Sequence, residues 1–149
     1  MNIITDIFTN KVFLSGIISW FVAQLIKVIY TLFKDKKLDF TRMFGSGGMP
    51  SSHSSLTASM ATAVGLEAGF NSVEFAIATI LTFIVMHDAT GVRRSAGEQA
   101  KILNKIVEEF GKEKLSDTGK KLKELLGHTP KQVFFGALLG IFVAIILYI

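Results

Sequence analysis

From Val133 to Ile149 the chain reads Val-Phe-Phe-Gly-Ala-Leu-Leu-Gly-Ile-Phe-Val-Ala-Ile-Ile-Leu-Tyr-Ile, nearly unbroken hydrocarbon with glycines at 136 and 140. Such a stretch is close to the roughly 20 residues that cross a hydrocarbon core about 30 Å thick. Three other stretches approach the same length: Val12 to Phe33, Ser54 to Phe70 and Val73 to Val92. The one at Ser54–Phe70 is short and rich in Ser, Thr, Ala and Gly, which suits a helix packed closely among other helices. The first run is too long for a signal peptide and no small-residue cleavage site follows before Lys34, so it is expected to stay as a permanent helix.

Composition points the same way. Half the residues are apolar, 19% are charged and the mean hydropathy is +0.47, more oily surface than one core of 149 residues can hide. The length fits one domain, and the hydrophobicity excludes disorder. With no Cys in the chain, a disulfide framework, thiol catalysis and thiolate metal sites are excluded. The expectation is an all-α polytopic membrane bundle, a single domain over 1–149, with about four transmembrane helices (about 12–33, 54–70, 73–92 and 133–149) and a cytoplasmic amphipathic helical insertion at about 95–126.

Charge asymmetry gives an orientation. The connections Lys34 to Arg42 and Arg93 to Lys131 hold 14 of the 16 Lys and Arg, and the link from Gly69 to Ser72 holds none. By the positive-inside rule the two basic connections are cytoplasmic and both termini lie outside. The basic pI thus has a topological explanation, and acids interleave with the Lys and Arg from Glu98 to Glu124, so no nucleic-acid partner is expected. Ile102, Leu103, Ile106, Val107 and Phe110, then Leu115, Leu122, Leu125 and Leu126, recur three and four apart. They read as two amphipathic helices broken at Gly111 or at Ser116 to Gly119, capping the inner face of the bundle or lying on headgroups. A dimer contact is the alternative use, so a homo-oligomer stays open.

Polar groups at membrane depth are costly and mark pairing or function. Here they cluster in three strings, all on the face the charge rule calls cytoplasmic. Gly45 to His53 (Gly-Ser-Gly-Gly-Met-Pro-Ser-Ser-His) opens the second span, His87 to Arg94 (His-Asp-Ala-Thr-Gly-Val-Arg-Arg) closes the third, and Gly127-His128-Thr129-Pro130 opens the fourth. In the first, Gly48 permits close backbone approach, Pro50 suits the first helical position, and the N–H groups of Ser51, Ser52 and His53 would point out of a positive helix end, a place for phosphate. A simple capped helix start, with Ser51 and Ser52 satisfying their own backbone, is the plainer alternative.

In the second string, His87 and Arg94 share a face if the helix continues, with Gly91 leaving room between them, while Arg93 is explained by topology alone. Asp88 is expected to pair with an Arg or orient a His ring. In the third, Gly127 ends the amphipathic helix, Thr129 caps the last span and Pro130 fits its first turn, which sets His128 at a second helix N-terminus. Lys27 lies about two turns inside the first span with Lys34 seven residues on, both cations facing the inner surface, where snorkelling alone could account for them. A metal site is not expected, because His53, His87, His128 and Asp88 lack the short helical ligand spacing.

These strings carry a resemblance. With Pro50-Ser51-Ser52-His53 and Gly127 to Gly136 (Gly-His-Thr-Pro-Lys-Gln-Val-Phe-Phe-Gly), the chain resembles the type 2 phosphatidic acid phosphatase family, and more closely its divergent bacterial and plant branch, from roughly Ala23 to Gly140. The resemblance implies that His128 attacks phosphorus to form a phosphohistidine, that His53 protonates the leaving group, and that Arg94 with Arg93 holds the phosphoryl oxygens. Lys27 and Lys34 would stand for the family's leading Lys-x6-Arg-Pro. The implied activity is hydrolysis of a phosphorylated lipid or isoprenoid without a cofactor; a silent relative that binds such a lipid or anion for transport, sensing or regulation is the other reading. The departures are Gln132, where the parent family has an acid beside the nucleophile, Lys34-Asp35 in place of Arg-Pro, and more than thirty residues between Arg94 and His128.

Overall fold

The computed structural model describes residues 2–36, 43, 48–110 and 127–149; within its helices the side chains of 34, 35, 93, 94, 108 and 110 are outside the description. The described residues form six helices: α1 (Ile3–Thr9), α2 (Lys11–Asp35), α3 (Ser52–Ala68), α4 (Val73–Thr90), α5 (Val92–Phe110) and α6 (Pro130–Tyr148). Three stretches, Lys11–Phe33, Val73–Val107 and Pro130–Tyr148, are long and apolar enough to cross a bilayer. The expected span at 54–70 exists as α3, but at 17 residues it is shorter and far more polar. It packs against α2, α4 and α6, so the spanning helices enclose it.

That placement follows from side-chain size. Ser51, Ser55 and Ser59 recur every four residues through the start of α3, all fully buried, and Ser15 and Ser19 do the same on α2. The hydroxyls of Ser15 and Ser59 meet at 2.9 Å and those of Ser19 and Ser55 at 2.6 Å. Each pair also bonds a carbonyl across the interface: Ser59 Oγ donates to Ser15 O at 2.9 Å and Ser19 Oγ to Ser55 O at 3.1 Å. Small residues let backbones approach, and such hydrogen bonds contribute about 0.6 kcal/mol apiece inside a membrane bundle. On the opposite flank α6 presents Gly136 and Gly140. A Cβ on Gly136 would collide with Ser51 O, and one on Gly140 with Ser55 O and, at 2.8 Å, Ser59 N. α4 is tied less closely, through Thr82 Oγ1, which donates to Thr57 O at 3.0 Å.

The outer faces carry the oil. Phe83 is 66% and Phe142 62% exposed, as helices bordered by lipid require. Two readings of the sequence are corrected here. The helix that begins at Val73 does not run through to Arg94: Gly91 stands at its C-cap with φ −102° and ψ −90°, and α5 begins at Val92. The seven-residue spacing therefore does not put His87 and Arg94 on one continuous helix. Pro50 is not the first residue of α3 either, because Ser51 is the N-cap and Ser52 the first helical residue. The amphipathic insertion is one helix up to Phe110, starting at Val92 rather than 95; its second half, with the expected break at Gly111 or Ser116 to Gly119, lies outside the described residues. α1 was not expected.

Because α6 has no room for a side chain at 140, Gly140→Leu in detergent is expected to cost about 1–3 kcal/mol or more in unfolding free energy through overpacking. Leu138→Ala, on a face 47% exposed, is expected to cost clearly less. Equal losses in thermal unfolding would contradict the close α3–α6 contact.

Candidate functional site

Both α3 and α6 begin at the same end of the bundle, and the reason is a backbone bond: Ser51 N–H donates to Gln132 O at 3.0 Å. The Ser51 hydroxyl, fully buried, accepts from Ser54 N at 3.4 Å and from Ser54 Oγ at 3.0 Å. Ser51 thus spends its N–H on helix docking and its hydroxyl oxygen on capping. α6 is closed by a full capping box, in which Thr129 Oγ1 accepts from Gln132 N at 3.4 Å and Gln132 Oε1 accepts from Thr129 N at 3.0 Å. Pro130 takes the first turn, as its fixed φ and missing N–H favour. A third element reaches this end: His128 N–H donates to Ala89 O at 3.0 Å, one residue from the end of α4.

These bonds bring two imidazoles together. His53, exposed on the first turn of α3, and His128, buried just ahead of α6, have ring centroids 6.4 Å apart with planes tilted by 60°. Centroids at that separation put both rings within reach of a single tetrahedral ion. His128 Nδ1 lies 3.3 Å from Gln132 Oε1. That oxygen already accepts the Thr129 N–H, which fixes the amide's orientation, so the ring nitrogen facing it must be the protonated one. The other nitrogen, Nε2, then carries the lone pair. Gln132 selects the tautomer, as a carboxylate would, without adding negative charge.

A cation stands on the adjacent helix. Lys27 is 3% exposed, and its Nζ donates to Gln24 Oε1 at 2.9 Å and to Ser52 Oγ at 3.1 Å. Among the described residues its partners are neutral oxygens and no carboxylate pairs with it, an arrangement that is costly unless an anion joins it. Gly48, at φ +84°, folds over the Lys27 stem, whose Cδ would lie 3.7 Å from an added Cβ. The positive φ is what demands glycine there. With the N-termini of α3 and α6 parallel at this end, the partial charges of two helix dipoles add to that of the ammonium.

Of the residues singled out in the sequence, His53, His128, Gln132, Lys27, Gly48, Ser51 and Ser52 therefore meet at one end of the bundle. His87 does not join them. It is exposed and lines an apolar surface groove with Phe83, Ile84, Asp88 and Val92; the residue of α4 that faces His128 is Ala89, 3% exposed. Asp88 is half-buried beside it. Arg93 and Arg94 have their backbone in the first turn of α5, immediately after α4, while their side chains and that of Lys34 lie outside the described residues. The described residues contain no group of three or more His, Asp or Glu arranged to hold a metal ion. Sequence reading missed Gln24 as the partner of Lys27. It also missed Ala89, whose role is a backbone carbonyl and leaves no side-chain signature.

The family model described as Divergent PAP2 family matches residues 8–143. The chain belongs to the divergent PAP2 family. Among curated proteins it is similar to the "Uncharacterized membrane protein YuiD" of Bacillus subtilis (strain 168), 43% identical over 152 residues that cover 95% of this chain and 96% of that protein. No solved structure matches. Membership covers every polar string at the site, from Lys27 through His53 to His128 and Gln132, and it agrees with a membrane location for the bundle.

The tautomer is open to measurement. In nitrogen-15 spectra of histidine-labelled protein in detergent, the neutral His128 ring is expected to carry its proton on Nδ1, and Gln132→Leu to shift population to the Nε2–H form. A wild-type ring protonated on Nε2 would contradict the geometry.

Proposed function

We propose that this divergent PAP2 family member is a membrane-embedded, metal-independent phosphatase that hydrolyses a phosphorylated lipid or isoprenoid at the cytoplasmic leaflet. The observation that carries the reading is the pair of imidazoles 6.4 Å apart, one of them oriented by Gln132 Oε1 at its Nδ1. In the first step His128 Nε2 forms a bond to phosphorus while the bond to the leaving oxygen breaks, and His53, as imidazolium, gives that oxygen a proton. In the second, His53 takes a proton from water as the water oxygen bonds to phosphorus and the P–N bond breaks, releasing phosphate and restoring His128. Neutral imidazole is an effective nucleophile near pH 7. Lys27, with Arg94 and Arg93 from the start of α5, supplies the positive charge that stabilises the phosphoryl oxygens. Lys34 and the backbone around Gly48 and Ser52 contribute to holding them.

A leaflet assignment rests on charge: the connections flanking this end hold most of the Lys and Arg. The exposed apolar faces of α4 and α6 beside it suit a substrate whose tail stays in lipid while its phosphate reaches the helix ends.

One observation favours a second reading, in which the protein binds a phosphorylated lipid or anion without turning it over. Gln132 is neutral and is spent on the capping box as well as on His128, so it gives the imidazolium formed during attack no compensating charge. Replacing the acid of a hydrolytic triad by its amide can cost orders of magnitude in rate.

Phosphate release from phosphatidate and polyprenyl phosphate by purified protein in detergent separates these readings. We expect His128→Ala to fall to background and His53→Ala to lose about 10²–10⁴-fold, the range for a general acid–base, with Gln132→Glu gaining over wild type. Equal release by wild type and both histidine variants removes the phosphatase reading; no gain in Gln132→Glu with vanadate still bound leaves the silent binder.

A further inference from the structure

Lys27 is buried in a helix facing the bundle, yet its ammonium is held by side chains that cannot neutralise it. The holder is Gln24, one turn earlier on α2 and itself 3% exposed. Its two ends do different work. Oε1 accepts from Lys27 Nζ at 2.9 Å, while Nε2 donates to the main-chain oxygen of Met43 at 2.7 Å, nineteen residues along the chain. A primary amide can do both at once, accepting from an ammonium at its oxygen and donating to a carbonyl from its nitrogen. A carboxylate at the same position would accept from Lys27 but form an ion pair with it, and would repel the Met43 carbonyl. An apolar residue would leave both partners unsatisfied in a buried setting, at a cost of about 1–3 kcal/mol per group.

The geometry of Lys27 shows what this achieves. An ammonium has three protons; Gln24 takes one and Ser52 another. Those two bonds hold Nζ beside the first turn of α3, at the residue before His53, and neither cancels its charge. Had evolution of the site required only a stable buried lysine, an aspartate or glutamate at the distance of Gln24 would serve better, because leaving a buried charge uncompensated is expensive. The neutral amide keeps the charge for something else. The same amide also bonds the main chain at Met43, and Gly48 lies over the Lys27 stem.

We infer that Gln24 is a positioning residue of the oxyanion site: it aims the Lys27 ammonium at the bound phosphoryl group while leaving its charge available. The inference deepens the proposed function and rests on it, since it requires that the site at the helix ends take a tetrahedral oxyanion. Gln24 touches Lys27 rather than the anion, so its effect should vanish when Lys27 is gone, which a residue needed merely for folding would not show.

The test is calorimetric binding of orthovanadate to the purified full chain in detergent, with thermal unfolding as a check on each variant. Gln24→Glu, nearly isosteric and able to pair with Lys27, is expected to weaken vanadate at least tenfold with an unfolding midpoint close to wild type, because the new carboxylate competes with the anion for the ammonium. Gln24→Leu is expected to weaken it about tenfold in the wild-type background but less than twofold in a Lys27→Met background. Wild-type affinity in Gln24→Glu, or equal fold-losses from Gln24→Leu with and without Lys27, overturns the inference while leaving the oxyanion site standing. Should Gln24→Leu not fold, Gln24→Glu alone decides. No vanadate binding by wild type overturns the site reading and this inference with it.

Discussion

The structure depends on how closely α6 lies against α3. With glycine at 136 and 140 facing the backbone of Ser51, Ser55 and Ser59, the two helices touch main chain to main chain. Lipid offers no hydrophobic drive to bring helices together, so contact of this kind, with hydroxyls bonded across it, is what association in a bilayer rests on. α2 adds its own serines to the other flank of α3. A polar helix that could not face lipid is thereby enclosed by three that can. The same contact sets the level of the two helix starts through the Ser51–Gln132 backbone bond, and the site inherits its geometry from that bond.

From this follows the electrostatics. Two helix N-termini, a buried ammonium and two imidazoles gather at this end of the bundle. A protein interior tolerates such an excess of positive character when an anion completes it. Gln24 and Gln132 play matching parts: each amide fixes the direction of a functional group, Lys27 in one case and His128 in the other, and neither contributes charge. For the ammonium this neutrality preserves attraction for an oxyanion. For the imidazole it fixes the ring without adding negative charge.

The membrane architecture was legible because long apolar runs are a local property. α2, α4 and α6 begin and end within a few residues of the expected spans, and Thr129 and Pro130 cap α6 as their chemistry suggests. Membership of the divergent PAP2 family was readable from the strings around His53 and His128. Where the reading fell short, the deciding contact was tertiary. Two adjacent serines compete to cap α3, and Ser51 wins because its N–H is taken by Gln132 O. Gly91 interrupts the helix, which periodicity at His87 and Arg94 could not reveal. The serines at 15 and 19, four apart and aligned with those of α3, were a visible signal for the α2–α3 contact; the role of Ala89 left no signal, and α1 is too short for a pattern to establish.

The central claim is that the two distant imidazoles and the buried lysine form one receptor for a tetrahedral oxyanion. An experimental structure of the protein in lipid or detergent with tungstate added locates that ion directly by its scattering. The account predicts tungstate between the rings of His53 and His128, in contact with both and with Lys27 Nζ. Tungstate bound elsewhere with this pocket empty, or imidazoles too far apart to share one ion, would contradict it.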